Sequence, residues 1–145
     1  MKKLMLFLYL VAVGMQTAFS QKIPDSIRLN KTTNVATTQY GVASYYHDKF
    51  EGRLTATGDL FAQEKLTAAC NTLPLKCWVR VTNVRNKKSV IVYINDRMHH
   101  LNTRAIDLSK AAATRLGFIA RGLTRVKVEY LGRKKPKEAE EESPE

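Results

Sequence analysis

Residues 77–95 read CWVRVTNVRNKKSVIVYIN, two runs dense in β-branched and aromatic residues with a polar connection between them. This composition predicts two β-strands joined by a hairpin. Working outward, GVASYY at 41–46, LTAA at 66–69 and TRVKVEYL at 124–131 have the same character. In the last run, apolar and charged residues alternate, which is typical of a strand with one buried face. The chain is therefore predicted to be mainly β.

One segment, DLSKAAATRLGF at 107–118, departs from the strand pattern. Its Ala-rich stretch favours a helix, for which Ser109 is a suitable N-terminal cap and Gly117 a suitable left-handed end. Several short strands and one short helix within about 90 residues favour a small closed barrel over an open sheet, because closure removes unpaired strand edges.

The ends of the chain differ from this central part. Residues 1–20 place two lysines before an apolar run and end in small residues, which predicts a signal peptide cleaved after Ser20. The apolar run is about half the length that a membrane-spanning helix needs, which disfavours an uncleaved anchor. Residues 21–39 are predicted to be a flexible leader, residues 40–131 the folded domain, and residues 132–145 a disordered charged tail.

Charge and predicted export together narrow the class of partner. The chain has 24 Lys and Arg residues against 13 Asp and Glu residues, a formal net charge of +11, which favours anionic partners. A cleaved signal peptide predicts a location in the periplasm or cell envelope, with no integral membrane segment after cleavage. Nucleic acid is then excluded, and wall polysaccharides, above all peptidoglycan, are expected. Charge that serves solubility alone is the alternative.

Two cysteines, Cys70 and Cys77, lie seven positions apart in the predicted domain. An exported protein meets an oxidising compartment, so a disulfide between them that closes a short loop is expected. Two free buried thiols are the alternative, because a bridge forms only where the Cβ atoms lie close together.

Four longer strings carry a family resemblance: GVASYYHDKFEGRLTATGDLF at 41–61, LTAACNTLPLKCWVRVTN at 66–83, SVIVYINDR at 89–97 and RAIDLSKAAATRLGFIARGLTRVKVEYL at 104–131. In order and spacing they resemble the RlpA-like (rare lipoprotein A) double-psi β-barrel family. The resemblance implies a six-stranded double-psi β-barrel with one short helix. It also implies a lytic transglycosylase that needs no cofactor.

Such an enzyme cleaves the β-1,4 bond between N-acetylmuramic acid and N-acetylglucosamine, with a preference for glycan strands lacking stem peptides, and it leaves an anhydro ring. The protein is expected to act as a monomer. Related barrels occur in expansins, so the alternative is a non-catalytic module that binds peptidoglycan or loosens the wall. A secreted inhibitor or signalling ligand on the same scaffold has only fold-level support.

The resemblance assigns roles to two carboxylates. Asp96, in the NDR motif, matches the family's essential aspartate, which gives a proton to the departing glycosidic oxygen and takes one from the C6 hydroxyl. The alternative is that Asp96 only caps a turn and pairs with Arg97 or Arg104. Asp59, in TATGD, stands where the family commonly has glutamate, and it is expected to assist binding or to stabilise positive charge. A solvated loop aspartate is its alternative.

Cys70 is the main departure from the family, because a catalytic histidine normally stands at this position in LTAACNTLP. Either Asp96 works with another partner, or the protein has become a binding protein. His99 and His100 are candidates to supply an imidazole, although an exposed loop is the better-supported interpretation of this pair.

The remaining expectations concern substrate, metal and the helix start. We predict that the substrate-binding residues are Tyr46, Arg97, His99 and Asn71. No metal is expected, since His47, His99 and His100 match no zinc-ligand spacing. Asp107 recurs in the family pattern, but its place just before Ser109 predicts a capping role at the helix start.

Overall fold

A computed structural model describes residues 38–141 of the protein. The predicted signal peptide and nearly all of the predicted leader lie outside the described residues. The regular elements are β1 (Thr38–Tyr45), β2 (Thr67–Ala69), β3 (Cys77–Asn83), β4 (Ser89–Asp96), β5 (Ile106–Leu108), α1 (Lys110–Leu116), β6 (Thr124–Gly132) and α2 (Lys137–Glu141). Within this range neither helix is long and apolar enough to cross a membrane.

The six strands form a closed barrel in the order β1-β5-β2-β4-β3-β6. The pairs β1–β5 and β2–β4 are parallel, and the other four pairs are antiparallel. The predicted hairpin is β3–β4, in which Cys77 lies opposite Ile94 and Thr82 opposite Ser89. The prediction of a mainly β, six-stranded closed barrel is confirmed.

The barrel interior is filled by the inward-facing residues of the long strands. Alternate residues of β3, β4 and β6 are at most 1% exposed: Val79, Val81, Val92, Ile94, Val126 and Val128. Full burial of such a side chain stabilises the fold by about 1.5–3 kcal/mol. Leu116 of α1 and Phe118 after it are also at most 1% exposed, so the helix covers part of this core.

The helix has the caps that the sequence predicts. The Ser109 side chain accepts a hydrogen bond from the backbone N–H of Ala112, and Gly117 ends α1 in the left-handed region with φ of 71°. The residues just before it differ from expectation, because Asp107 lies in β5 and does not cap α1. Its neighbours Ile106 and Leu108 point into the core. The burial of these two side chains, and not the polarity of Asp107, therefore determines that the segment forms a strand.

The tail also differs from expectation. Strand β6 continues to Gly132, and α2 occupies part of the stretch predicted to be disordered. Ala139, its apolar residue, is 6% exposed and lies in a pocket with Trp78 and Tyr93, while Glu138 forms an ion pair with Arg80. The tail has too few apolar residues to bury surface on its own. Contact with the outer face of β3 and β4 thus provides this burial.

Gly41 marks a close approach between β1 and the segment before β5. A Cβ atom at this position would lie 2.6 Å from the Cβ of Ala105, which real Cβ atoms do not tolerate. Nearby, the Ala105 N–H donates to the carbonyl of Val42 at 2.8 Å and ties the two segments together. Glycine is therefore required here by space and not by backbone conformation.

Gly41→Ala is expected to destabilise the protein by about 1–3 kcal/mol, since overpacking forces backbone shifts. Chemical denaturation measures the free energy of unfolding. Ala105→Gly on the same chain removes the opposing Cβ and should restore part of the loss. Equal stability of Gly41→Ala and the wild type would contradict the close packing.

Candidate active-site groove

A groove of about 580 Å³ lies where the carboxyl ends of several strands meet. Parallel pairing brings Ala69, at the end of β2, beside Asp96 at the end of β4, with a register shift just before it. The chain leaving β1 joins them because the Tyr46 N–H donates to the carbonyl of Leu108 at the end of β5. The topology therefore brings residues distant in sequence to one opening.

Asp96 lies half-buried in this groove with both carboxylate oxygens hydrogen bonded. Oδ2 accepts from the Tyr46 hydroxyl at 2.7 Å, and Oδ1 accepts from the backbone N–H groups of Ala56 at 2.9 Å and Arg97 at 2.8 Å. All three donors are uncharged. The carboxylate is thus fixed in orientation but not neutralised by a cation.

The two arginines considered as ion-pair partners of Asp96 are engaged elsewhere. The Arg97 side chain donates to the carbonyl of Cys70. The Arg104 guanidinium forms a two-pronged pair with Asp107, with both N···O distances 2.7 Å, and this bond raises the pKa of Arg104. Asp107 thus orients Arg104, a cation that lines the groove, and does not act as the predicted helix cap.

Tyr46 is the residue that holds Asp96 from inside the groove. Its ring packs against Phe61 with centroids 4.3 Å apart and against Phe50 at 5.7 Å. Burial, followed by the hydrogen bond to Asp96, raises the pKa of Tyr46 well above its ordinary value. The phenol therefore stays protonated and remains a donor to the carboxylate.

Asp59 lies outside the groove. Its side chain is exposed and accepts a hydrogen bond from the Thr57 hydroxyl at 2.6 Å. The Thr57 N–H in turn donates to the carbonyl of Asn95, so the loop is fastened beside β4. Since Ala56 of the same loop donates to Asp96, Asp59 supports the carboxylate indirectly.

Asn71 has a comparable supporting position. Its side chain accepts from the Met98 N–H at 2.9 Å and donates to the His99 carbonyl at 3.2 Å. Arg97 and His99 both line the groove, whereas Asn71 is exposed and does not. The structure thus brings Asp96, Tyr46, Arg97 and His99 together and places Asp59 and Asn71 behind them.

The groove carries more positive charge than the sequence analysis assigned to it. Lys49 and Arg53 line it in addition to Arg97, and both lie over the Phe50 ring at 5.3 and 5.4 Å. In the sequence, the polar HDKFEGR loop after Tyr46 indicated that charged residues lie here. It did not show in which direction their side chains point. The opening is therefore suited to an anionic, partly apolar ligand.

The expected disulfide is absent from the structure, in which Cys70 and Cys77 are buried free thiols. Each sulfur has its own partners: Cys70 contacts the Ala105 carbonyl and the Thr72 hydroxyl, and Cys77 donates to the Pro74 carbonyl at 3.0 Å. Burial, with a smaller effect of Cys70, raises the pKa of Cys77 to about 11.

Cys70 is fully buried and does not line the groove. The side chain at the position where the resemblance implies a histidine therefore does not reach the groove. His99 lines the groove and stacks on His100, with ring centroids 4.3 Å apart. Among the described residues, no group of three or more His, Cys, Asp or Glu side chains is placed to hold a metal ion.

Tyr46→Phe should remove one late-titrating phenol from an absorbance titration. Because the folded-state pKa of Tyr46 lies above its ordinary value of 10.0, its contribution to stability is complete below about pH 10 and is lost as the pH rises further. The variant should lose less stability above that pH. Tyr40→Phe, at a 67% exposed position, is the control. An absorbance titration in which Tyr46→Phe removes an early-titrating phenol would contradict this assignment.

The thiols should react slowly with a disulfide reagent in the folded protein at pH 8, because both are buried and the raised pKa of Cys77 keeps it protonated. After unfolding in guanidinium, two thiols per chain should react. Cys70→Ser and Cys77→Ser should each leave one. Finding none after unfolding of the wild type would show that the bridge forms.

The chain is similar in sequence to known proteins from several bacteria. Three are named endolytic peptidoglycan transglycosylase RlpA. The Haemophilus influenzae protein is 50% identical over 91 residues, covering 63% of this chain and 32% of the relative. The Rickettsia bellii protein is 52% identical over 97 residues, covering 65% and 43%. The Pseudomonas aeruginosa protein is 45% identical over 129 residues, covering 76% and 38%. The chain thus spans less than half the length of these relatives.

Solved structures agree on the fold. The Streptomyces papain inhibitor superposes with a TM-score of 0.53 at 23% identity, covering 67% of this chain and 96% of the inhibitor. The expansin of Clavibacter michiganensis superposes with a TM-score of 0.54 at 18% identity, covering 68% and 52%. At these identities the likeness concerns the double-psi barrel alone.

The family model described as "Lytic transglycolase" matches residues 38–128, which is most of the folded part. The matched span contains all the groove residues described above. The protein therefore belongs to the lytic transglycolase family of RlpA-like double-psi β-barrel proteins.

Proposed function

We propose that the protein is a peptidoglycan lytic transglycosylase that cleaves the β-1,4 bond between N-acetylmuramic acid and N-acetylglucosamine. The observation that carries the proposal is the position of Asp96: it lies in a basic groove, held by three uncharged donors and without an ion-pair partner among residues 38–141. Family membership supplies the reaction class, and the relatives are named for endolytic cleavage.

In the proposed reaction Asp96 acts first as an acid and then as a base. Its protonated form gives a proton to the glycosidic oxygen as the bond to C1 breaks. The resulting carboxylate then takes the proton of the C6 hydroxyl, whose oxygen closes the anhydro ring on C1. The proton is thus returned to Asp96, and no water is consumed.

Tyr46 suits this exchange because a phenol both donates and accepts hydrogen bonds. It donates to Oδ2 of Asp96 when the carboxylate is charged, and it can accept from the same oxygen when Asp96 is protonated. Its raised pKa keeps it from ionising in either state. We therefore assign Tyr46 the role of orienting Asp96 through both steps.

Asp59 and Asn71 act as positioning residues in this proposal. Asp59 fastens the loop whose Ala56 N–H reaches Asp96, and Asn71 fastens the loop that carries Arg97 and His99. Arg97 and His99 are proposed to contact the strand directly. The proposed substrate is a glycan strand that lacks stem peptides. The lactyl carboxylates of this glycan strand match the cations that line the groove.

Activity on peptidoglycan implies a location in the cell envelope. Export through a signal peptide cleaved after Ser20, and action as a monomer, complete the proposal. The net positive charge then meets an anionic wall polymer and not nucleic acid.

A second candidate function is a non-catalytic peptidoglycan-binding or wall-loosening module. One observation favours it: Cys70 occupies the position of the family's histidine and is buried away from the groove. Such a module would hold the strand through the same cations without bond cleavage.

Asp96→Asn should lower cleavage by at least about 100-fold, because amide replacement removes the proton exchange. The assay digests peptidoglycan stripped of stem peptides and counts anhydro-muramic ends by mass spectrometry. Asp48→Asn is the matched control, since Asp48 is an exposed carboxylate paired with Lys110.

The control should cut like the wild type. Absence of anhydro ends with wild-type protein at high loading, together with pelleting on insoluble peptidoglycan that Asp96→Asn does not change, would overturn the enzymatic proposal in favour of the binding module.

A further inference from the structure

A second basic surface lies on the barrel outside the groove. It is an open depression of about 430 Å³ that we call the arginine patch. It is formed by β1, the β3–β4 turn and the segment leading into β6, through Val42, Val84, Arg85, Arg121, Leu123 and Arg125.

The three guanidinium groups of the patch are exposed and have no hydrogen-bond or ion-pair partner among residues 38–141. No acidic residue lines the patch. Arginines elsewhere behave differently: Arg80 pairs with Glu138, and Arg104 pairs with Asp107. Three like charges gathered without a counter-charge repel one another and favour an anionic ligand.

Apolar side chains lie between these charges. Leu123 is 53% exposed, Val42 39% and Val84 38%. A ligand that fits the patch therefore offers carboxylates or phosphates together with apolar faces. A glycan strand with lactyl groups has both, because its pyranose rings present C–H faces and its carboxylates project beside them.

The patch lies beside the groove along β1. Val42 in the patch and Ser44 in the groove are two residues apart on the same face of β1, a distance of about 7 Å. Val42 also accepts a hydrogen bond from Ala105, the neighbour of the groove residue Arg104. A glycan strand that leaves the groove past Ser44 and Arg104 thus runs onto the arginine patch.

We propose that the arginine patch extends the groove and binds the lactyl carboxylates of the glycan strand beyond the cleavage point. The inference rests on the proposed function, because the same strand must occupy the groove. It adds a binding segment, made of Arg85, Arg121 and Arg125, that selects a carboxylate-bearing glycan over a neutral one.

The test is pelleting on insoluble peptidoglycan stripped of stem peptides, with all chains carrying Asp96→Asn to prevent cleavage. The patch variant is Arg85→Gln, Arg121→Gln and Arg125→Gln together. The control is Lys65→Gln, Lys76→Gln and Lys134→Gln, three exposed lysines outside the patch, which gives the same net charge. Thermal melts confirm that both variants fold.

The patch variant should bind stripped peptidoglycan about tenfold more weakly, as three exposed ion pairs imply, and the control should bind nearly as tightly as the parent. Binding of the two variants to chitin, and to stripped peptidoglycan whose carboxylates have been converted to amides, should not differ.

Equal weakening of the two variants would overturn the proposal, and so would weakening by the patch variant that persists on chitin. A patch variant that keeps peptidoglycan affinity but loses binding to phosphatidylglycerol vesicles would also overturn it, in favour of a membrane surface. If wild-type protein makes no anhydro ends but the patch variant still loses carboxylate-dependent binding, the enzymatic proposal fails and the patch assignment stands.

Discussion

The hydrogen bonds to the Asp96 carboxylate join parts of the chain that are far apart in sequence. Tyr46 lies 50 residues before Asp96, and Ala56 lies 40 residues before it. Neither contact exists unless β1 reaches the end of β5 and β2 pairs in parallel with β4. The geometry of the groove is therefore a product of barrel closure, and a change that loosens closure acts on the carboxylate as well as on stability.

The long elements of the fold are predictable because their signals are local. Alternation in β6 and the cap residues of α1 act over a few neighbouring positions, and the structure agrees with both. β5 was not predicted because its Asp107, just before Ser109, looked like a helix cap. α2 was not predicted for a different reason. The residues that bury it, Trp78 and Tyr93, lie on β3 and β4, far from α2 in the sequence.

The candidate site was predictable in part. The family motif pointed to Asp96, which lies in a groove that Tyr46, Arg97 and His99 also line. The sequence could not show that Asp59 faces outward or that Arg104 is bound to Asp107, because both depend on loop paths. Free thiols were only the alternative to the expected disulfide, since a spacing of seven positions does not reveal which way each sulfur points.

The strand order has a consequence for the timing of folding. β1, the first strand of the barrel to be synthesised, pairs within residues 38–141 only with β5 and β6, which are the last two strands of the barrel. The barrel cannot close until almost the whole domain has left the ribosome, and such non-local pairing is intrinsically slow. A nascent chain of this topology therefore stays open, with its groove incomplete, until β5 and β6 have been synthesised.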